Sequence, residues 1–258
     1  MINFKNIEAI SNQYLSMKPF PHIVVDDFFN YKIAKKLEKE FPNFDDKIWH
    51  EYSNKIENKK TLNNWNYFPE LTYSVFNTLV SNDFADRLSK TLYNHSILFG
   101  DPGLNGGGWH IHNKGGDLNT HLDYSLHPKL KKQRKVNIII YLNSNWRNEW
   151  GGQLGLWSNE SNIRPGKLCK KISAKYNRAI IFDTTFNSWH GLPQPIQCPQ
   201  NEYRKSLAVY YLCEASKTTD PRGRALFAPR DNQKNDKEIL SLIKRRSDIN
   251  YANKVYKK

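Results

Sequence analysis

The chain has 258 residues, with 39 Lys and Arg against 25 Asp and Glu, a formal net charge of +14 and a pI near 9.5. That length suffices for a single domain with a full core, and the three cysteines, Cys169, Cys198 and Cys213, lack the even count or CxxC spacing of a disulfide framework or thiolate zinc site. No run of about 20 apolar residues is available to span a bilayer, and Met1 to Asn12 lack the basic-then-apolar layout of a signal peptide, so a cytoplasmic protein is expected.

Along the chain, Phe4, Ile7, Ile10 and Tyr14 recur at helical intervals until Pro19 and Pro21 stop the helix. Ile23-Val24-Val25 reads as a short strand, and Asn30 can cap a helix over Tyr31 to Phe41 that Pro42 ends. Residues 43–68 are polar, aromatic and without clear period, which predicts a long loop with short strands whose Trp49, Tyr52 and Trp65 line a site or pack a lid. Leu71 to Phe84 and Asp83 to Leu92 read as continuous helix. From about residue 97 the period becomes two, with strands predicted at Ser96–Phe99, Gly108–His112, Val136–Leu142, Gln153–Trp157, Ala179–Asp183 and Ser206–Leu212. Thr218 to Lys258 is a charged C-terminal extension with one helix around Lys237 to Arg246. The two densest basic runs, 129–135 and 164–178, read as solvated inter-strand loops. Helices followed by many short strands argue for a mainly β fold with flanking helices, a double-stranded β-helix (jelly-roll) core. The expected layout is one domain, with 1–95 as N-terminal support, 96–215 as the core and 216–258 as the extension.

The chemistry-bearing pattern is His121-Leu122-Asp123, a long β-rich interval, and then Trp189-His190-Gly191 and Tyr203-Arg204-Lys205-Ser206. Residues two apart on a strand point the same way, so His121 and Asp123 can reach one metal while His190 arrives from another strand. Two imidazoles and one carboxylate leave open positions on an octahedral ion, which suits non-haem Fe(II) chemistry with O2. A second pair, His110 and His112, is set down as substrate-contacting or supporting rather than metal-binding, and His127 as structural. Gly106-Gly107-Gly108 lacks the Lys-Ser/Thr of a phosphate loop and reads as a turn.

Between these segments stand Tyr141-Leu142-Asn143, Trp146, Gly151-Gly152-Gln153-Leu154 and the apolar run ending at Asp183. With these motifs residues 101–213 resemble the prolyl-4-hydroxylase-like branch of the Fe(II)/2-oxoglutarate dioxygenases. The stretch Pro19 to Phe29 is similar to that family's opening strand. The resemblance implies that His121, Asp123 and His190 are the metal ligands and catalytic centre. It implies that Fe(II), 2-oxoglutarate and O2 are used, with ascorbate as a stimulant. It places Arg204, helped by Tyr141, on the far carboxylate of 2-oxoglutarate; a guanidinium suits that task because it donates two parallel hydrogen bonds. Lys205, its neighbour, is the competing anchor, and the long interval from His190 requires the 193–202 loop to bulge. A carboxylate at Asp123, where related halogenases carry a small residue, implies hydroxylation.

The expected reaction is hydroxylation of an unactivated C–H, at a prolyl residue or on a free amino acid, sugar or other metabolite, with release of succinate and CO2. A basic nucleic-acid-associated protein with a structural metal is the more distant alternative. A zinc hydrolase leaves Arg204 without a task and offers no Glu base tied to the ligands. The expected partner is a small molecule or peptide, with no specific nucleic-acid binding, and the oligomeric state stays open. The aromatic side chains Trp49, Trp65 and Trp109, or His112, are expected to face the substrate at a mouth between 43–68 and 101–118.

Overall fold

Two antiparallel sheets face each other in the computed structural model, which describes residues 1–161, 163–185 and 187–248. In chain order the strands are β1 (His22–Val25), β2 (His50–Ser53), β3 (Glu57–Leu62), β4 (Phe99–Gly100), β5 (Gly108–His112), β6 (Asp117–Leu118) and β7 (His121–Leu122). They continue as β8 (Gln133–Tyr141), β9 (Leu154–Ser161), β10 (Arg164–Ile172), β11 (Ala179–Asp183), β12 (His190–Gly191), β13 (Arg204–Cys213) and β14 (Leu226–Phe227). The major sheet runs β1-β11-β8-β13-β5-β3-β2, with β4 on β13 and β6 on β3; the minor sheet runs β10-β9-β12-β7-β14. Five helices accompany them among the described residues: α1 (Phe4–Glu8), α2 (Tyr31–Lys39), α3 (Glu70–Leu79), α4 (Asn82–Tyr93) and α5 (Lys237–Ser247).

One alternation organises the major sheet. Val136, Ile138 and Ile140 of β8, Leu207, Val209 and Tyr211 of β13, and Trp109 and Ile111 of β5 join the large core beneath the helices. Their neighbours point the other way, towards the minor sheet: Tyr141, Ile180 and Phe182 pack there against Leu154 and Leu156. His110, His112, Asn137, Arg204, Ser206 and Tyr210 share that inner face and line a cavity between the sheets. Because the period is two, each strand supplies apolar cover to one layer and chemistry to the other.

The jelly-roll expectation and its six predicted strands appear, with shifted ends, and the structure corrects several local readings. Leu71–Leu92 is two helices: Ser81 accepts a hydrogen bond from the Phe84 amide and caps α4 separately. Within 43–68 the expected short strands do appear, as a β2–β3 hairpin paired from His50↔Thr61 to Ser53↔Asn58. The run 164–178 is not a loop. Its first nine residues form β10, an edge strand pairing only with β9, where Lys167 and Lys171 are exposed and blunt the edge. In the other basic run, Arg134 and Lys135 belong to β8, Arg134 is 2 % exposed, and Lys135 pairs with Asp183 at 2.8 Å. The C-terminal segment is structural as well: Leu226 and Phe227 of β14 pair with Leu122 and His121 of β7. The remainder of that predicted extension, 249–258, lies outside the described residues. No helix among the described residues is long and apolar enough to cross a membrane.

Candidate active site

His121 and His190 sit opposite each other across the β7–β12 pair, the partner register that their two short strands create. Such close strands leave no room for a side chain after His190: a Cβ on Gly191 would lie 2.8 Å from the Asn119 carbonyl oxygen. The two imidazoles are oriented in the same way. Nδ1 of His121 meets the Asn119 carbonyl at 2.9 Å and Nδ1 of His190 meets the Ser188 carbonyl at 2.8 Å. In the neutral tautomer these contacts require, Nδ1 donates and Nε2 keeps its lone pair for a metal. The Asp123 carboxylate completes the group, with Oδ1 3.7 Å from His121 Nε2 and Oδ2 3.8 Å from His190 Nε2. All three donor atoms lie within 4.8 Å of one another, and no other such group of His, Cys, Asp or Glu occurs among the described residues.

Burial and neighbouring charge set the site's protonation. Burial pushes the Asp123 carboxyl up, but the neighbouring His190, His121 and Arg134 together hold it well below the usual carboxylate range. Burial, reinforced by His121, brings His190 down to about 4. A carboxylate beside neutral imidazoles is the state a divalent metal requires. Asp123 Oδ2 is buried without a hydrogen-bond partner, an orphaned acceptor that a cation would satisfy. The donor set therefore fits Fe(II).

Arg204 enters the same cavity from β13 and is 4 % exposed. Its Nε donates to the Gly152 carbonyl at 2.7 Å and an Nη donates to the Tyr141 hydroxyl at 3.1 Å. Gly152 has φ +76, and a Cβ there would come within 2.9 Å of the Arg204 side chain, so this position requires glycine twice over. No carboxylate pairs with the guanidinium among the described residues. An enclosed cation held only by neutral groups suits a ligand carboxylate, as 2-oxoglutarate provides. Lys205 points to the opposite face, its ammonium 5.6 Å from the Phe41 ring centroid, which removes it as the competing anchor in this structure. The 193–202 loop that the long interval requires packs Ile196 and Cys198 beside Leu192.

His110 and His112 face the cavity, His127 instead lies 3.5 Å from Asp101, and His112 has both ring nitrogens buried without partners. Burial, with Lys59 and Arg204 adding to it, pushes His110 down to about 3. The expected tryptophans are elsewhere. Trp49 and Trp109 are in the large core and Trp65 packs against Phe68, Tyr73 and Phe76; bulky indoles bury more apolar area under the helices than at a wet mouth.

Their place at the cavity is taken by residues that motif reading missed. Arg134 lies between two tyrosines, its guanidinium carbon 3.3 Å from the Tyr124 ring centroid and 3.5 Å from that of Tyr210. It stands 3.8 Å from Asp123 Oδ1, to which Tyr210 also donates at 3.3 Å. Phe227 of β14 stacks on His121 with centroids 5.1 Å apart. Lys59 and Tyr52 from the hairpin and Arg224 and Arg246 from the C-terminal segment complete the wall. Tyr210 was accessible to inference, being in step with Arg204, Ser206 and Ala208 on one strand face; Phe227 and Arg246 lie in charged sequence with no periodic signal.

The 2OG-Fe(II) oxygenase superfamily model matches residues 107–212. The mouse prolyl 3-hydroxylase OGFOD1 is 24 % identical over 195 residues, covering 71 % of this chain and 31 % of the mouse protein, so the chain spans less than a third of that relative. A prolyl-4-hydroxylase from Pseudomonas putida superposes with a TM-score of 0.57 at 14 % identity, covering 81 % of this chain and 100 % of that one. A prolyl hydroxylase from Trichoplax adhaerens, in complex with a hypoxia inducible factor peptide fragment, gives 0.55 at 18 % identity over 81 % and 92 % of the two chains. At such identities the structural likeness establishes the fold, and the family match adds the chemistry of the cavity. Residues 107–212 therefore match the 2OG-Fe(II) oxygenase superfamily, on a fold that the chain shares with prolyl hydroxylases, and the three-donor group beside Arg204 fits the Fe(II) and 2-oxoglutarate of that superfamily.

Proposed function

We propose that this enzyme hydroxylates an unactivated C–H of a peptide or small organic substrate, with a prolyl residue as the leading target, using His121, Asp123 and His190 to hold Fe(II) and Arg204 with Tyr141 to hold 2-oxoglutarate. The observation that carries the reading is the convergence, in one cavity of about 210 Å³, of a three-donor group and a buried arginine without an anionic partner. Bound Fe(II) with 2-oxoglutarate supplies the oxidising chemistry, in which O2 and 2-oxoglutarate give succinate, CO2 and one oxygen atom delivered to the substrate carbon.

The chain's own residues do the positioning. The Asn119 and Ser188 carbonyls fix the imidazole tautomers. Arg134 and Tyr210 hold one side of the Asp123 carboxylate, limiting the rotation that would break its approach to the metal. Phe227 covers His121 and excludes water from that side. Burial makes the Arg204–carboxylate contact strong, because few waters compete for it. The prolyl target is supported by the mouse relative and by the peptide complex of the Trichoplax enzyme.

A turnover screen tests this reading. Protein with Fe(II) and 2-oxoglutarate is offered prolyl peptides, free amino acids and glycans, and succinate is measured together with the substrate's mass. The expected result is succinate release stimulated by prolyl peptides with a matching gain of one oxygen. Stimulation only by a non-peptide would move the substrate assignment, and no release with any substrate would contradict the activity.

A further inference from the structure

Lys59 and Lys60 are neighbours on β3 in opposite settings. Lys60 points to the helix side, where its ammonium donates to the Phe44 carbonyl at 2.9 Å. Lys59 alternates to the inner face and lines the cavity that holds the three metal donors. Its ammonium stands 5.3 Å from the Tyr52 ring centroid and makes neither a hydrogen bond nor an ion pair among the described residues. Beside it is a second polar side chain without a partner. Lys60 pairs with Ile111, which sets His112 next to Lys59, and His112 pairs with Arg204 on its other side. His112 is 2 % exposed and both its ring nitrogens are buried without partners. Arg204, His112 and Lys59 thus form one row across three strands, and the far carboxylate of 2-oxoglutarate accounts for the first of them alone.

The charges felt by Lys59 are mixed. Burial lowers its pKa; Glu57 and Asp123 oppose that shift, and Arg246 and Arg204 add to it. With both signs represented, the enclosed ammonium is short of hydrogen-bond acceptors rather than of counter-charge. We infer that Lys59 is a substrate-binding residue whose ammonium donates to a neutral carbonyl oxygen, a main-chain amide carbonyl of a peptide. His112 favours an amide over a carboxylate. Held neutral by burial, it offers one N–H and one lone pair, and an amide with a carbonyl and an N–H satisfies both, whereas a carboxylate satisfies only the first. The inference rests on the oxygenase reading for what the cavity does, but its direct readout is binding.

The test is calorimetry on the full chain loaded with Mn(II) and 2-oxoglutarate, titrated with the neutral tripeptide acetyl-Ala-Pro-Ala-amide and with the same peptide as its free C-terminal acid. Lys59→Met is expected to weaken the amide about ten-fold, as loss of a hydrogen bond from a charged donor does, and Lys59→Arg to restore binding. In turnover of the peptide the Lys59→Met loss is expected in KM rather than in kcat. Lys60→Met, which alters the other face of the same strand, is expected to leave peptide affinity unchanged; thermal melts and the 2-oxoglutarate affinity check that each variant is folded with its co-substrate site intact. Equal affinity in the wild type and Lys59→Met overturns the inference, as does an equal loss in Lys60→Met or no binding of either peptide. A gain of about ten-fold for the free acid over the amide would make Lys59 a carboxylate anchor and overturn the neutral acceptor. Peptide-stimulated succinate release with binding independent of Lys59 contradicts this contact alone, whereas Lys59-dependent binding without succinate release from any substrate keeps the contact and contradicts the oxygenase reading.

Discussion

Removing His121, Asp123 or His190 takes one of three donors from a group whose atoms lie within 4.8 Å, so each alanine variant is expected to lose metal binding and turnover together. Metal calorimetry beside succinate release checks this, and an active Asp123→Ala protein would contradict the ligand assignment. At Arg204 the effect is different. Truncating one partner of a buried charge pair costs about 3–5 kcal/mol, so Arg204→Ala is expected to weaken 2-oxoglutarate by hundreds-fold while metal binding persists. Lys205→Ala is expected to leave the co-substrate constant unchanged, because that ammonium lies against Phe41 on the helix side of the sheet. The triad and Arg204 were legible because their chemistry is carried by residue types at fixed strand spacings. Arg134 was not: inside a basic run its charge looks solvated, and only the fold brings Tyr124 and Tyr210 to its two faces.

Strand β13 shows what a single element does for the site. Its even-numbered positions from Arg204 to Tyr210 line the cavity while Leu207, Val209 and Tyr211 join the core, and that alternation was readable directly. The C-terminal segment follows no such rule. Its strand β14 is two residues long, and a pairing with β7 across a hundred residues leaves no local period to find. It nevertheless orders the ligand strand, since Asn119, whose carbonyl orients His121, donates through its side-chain amide to the Ala228 carbonyl and accepts from Arg230 Nε at 3.1 Å. Phe227→Ala is accordingly expected to weaken metal binding about ten-fold and to raise succinate release that is uncoupled from substrate oxidation, as water gains access to His121. The ratio of succinate to hydroxylated product measures that uncoupling; an unchanged ratio would remove the shielding role.

Across the whole molecule, the buried histidines link stability to pH. His110 and His190 have folded values of about 3 and about 4, below the ordinary 6.5, and His112 is also lowered; burial is the leading cause for all three. The folded chain thus binds fewer protons than the unfolded chain between pH 6.5 and about 4, so stability rises with pH through that window and is lost as pH falls below 6.5. Each such group contributes up to about 1.4 kcal/mol per pH unit. Melting of the metal-free protein is expected to fall steeply from pH 7 towards 4.5, with a shallower slope in His112→Asn, and a flat profile would contradict the burial of these groups. The jelly-roll itself was legible from the change of period near residue 97; the basic cavity was not, because Lys59, Arg224 and Arg246 come from two distant polar segments.

The central claim is that one metal and one co-substrate are held by these side chains, and a crystal structure with Mn(II) and 2-oxoglutarate, located by anomalous scattering, tests it most directly. A single ion is expected at about 2.0–2.2 Å from His121 Nε2, Asp123 and His190 Nε2, with the far carboxylate of 2-oxoglutarate on Arg204 and Tyr141. An ion on His110 and His112 instead, or a co-substrate carboxylate on Lys205, would contradict it.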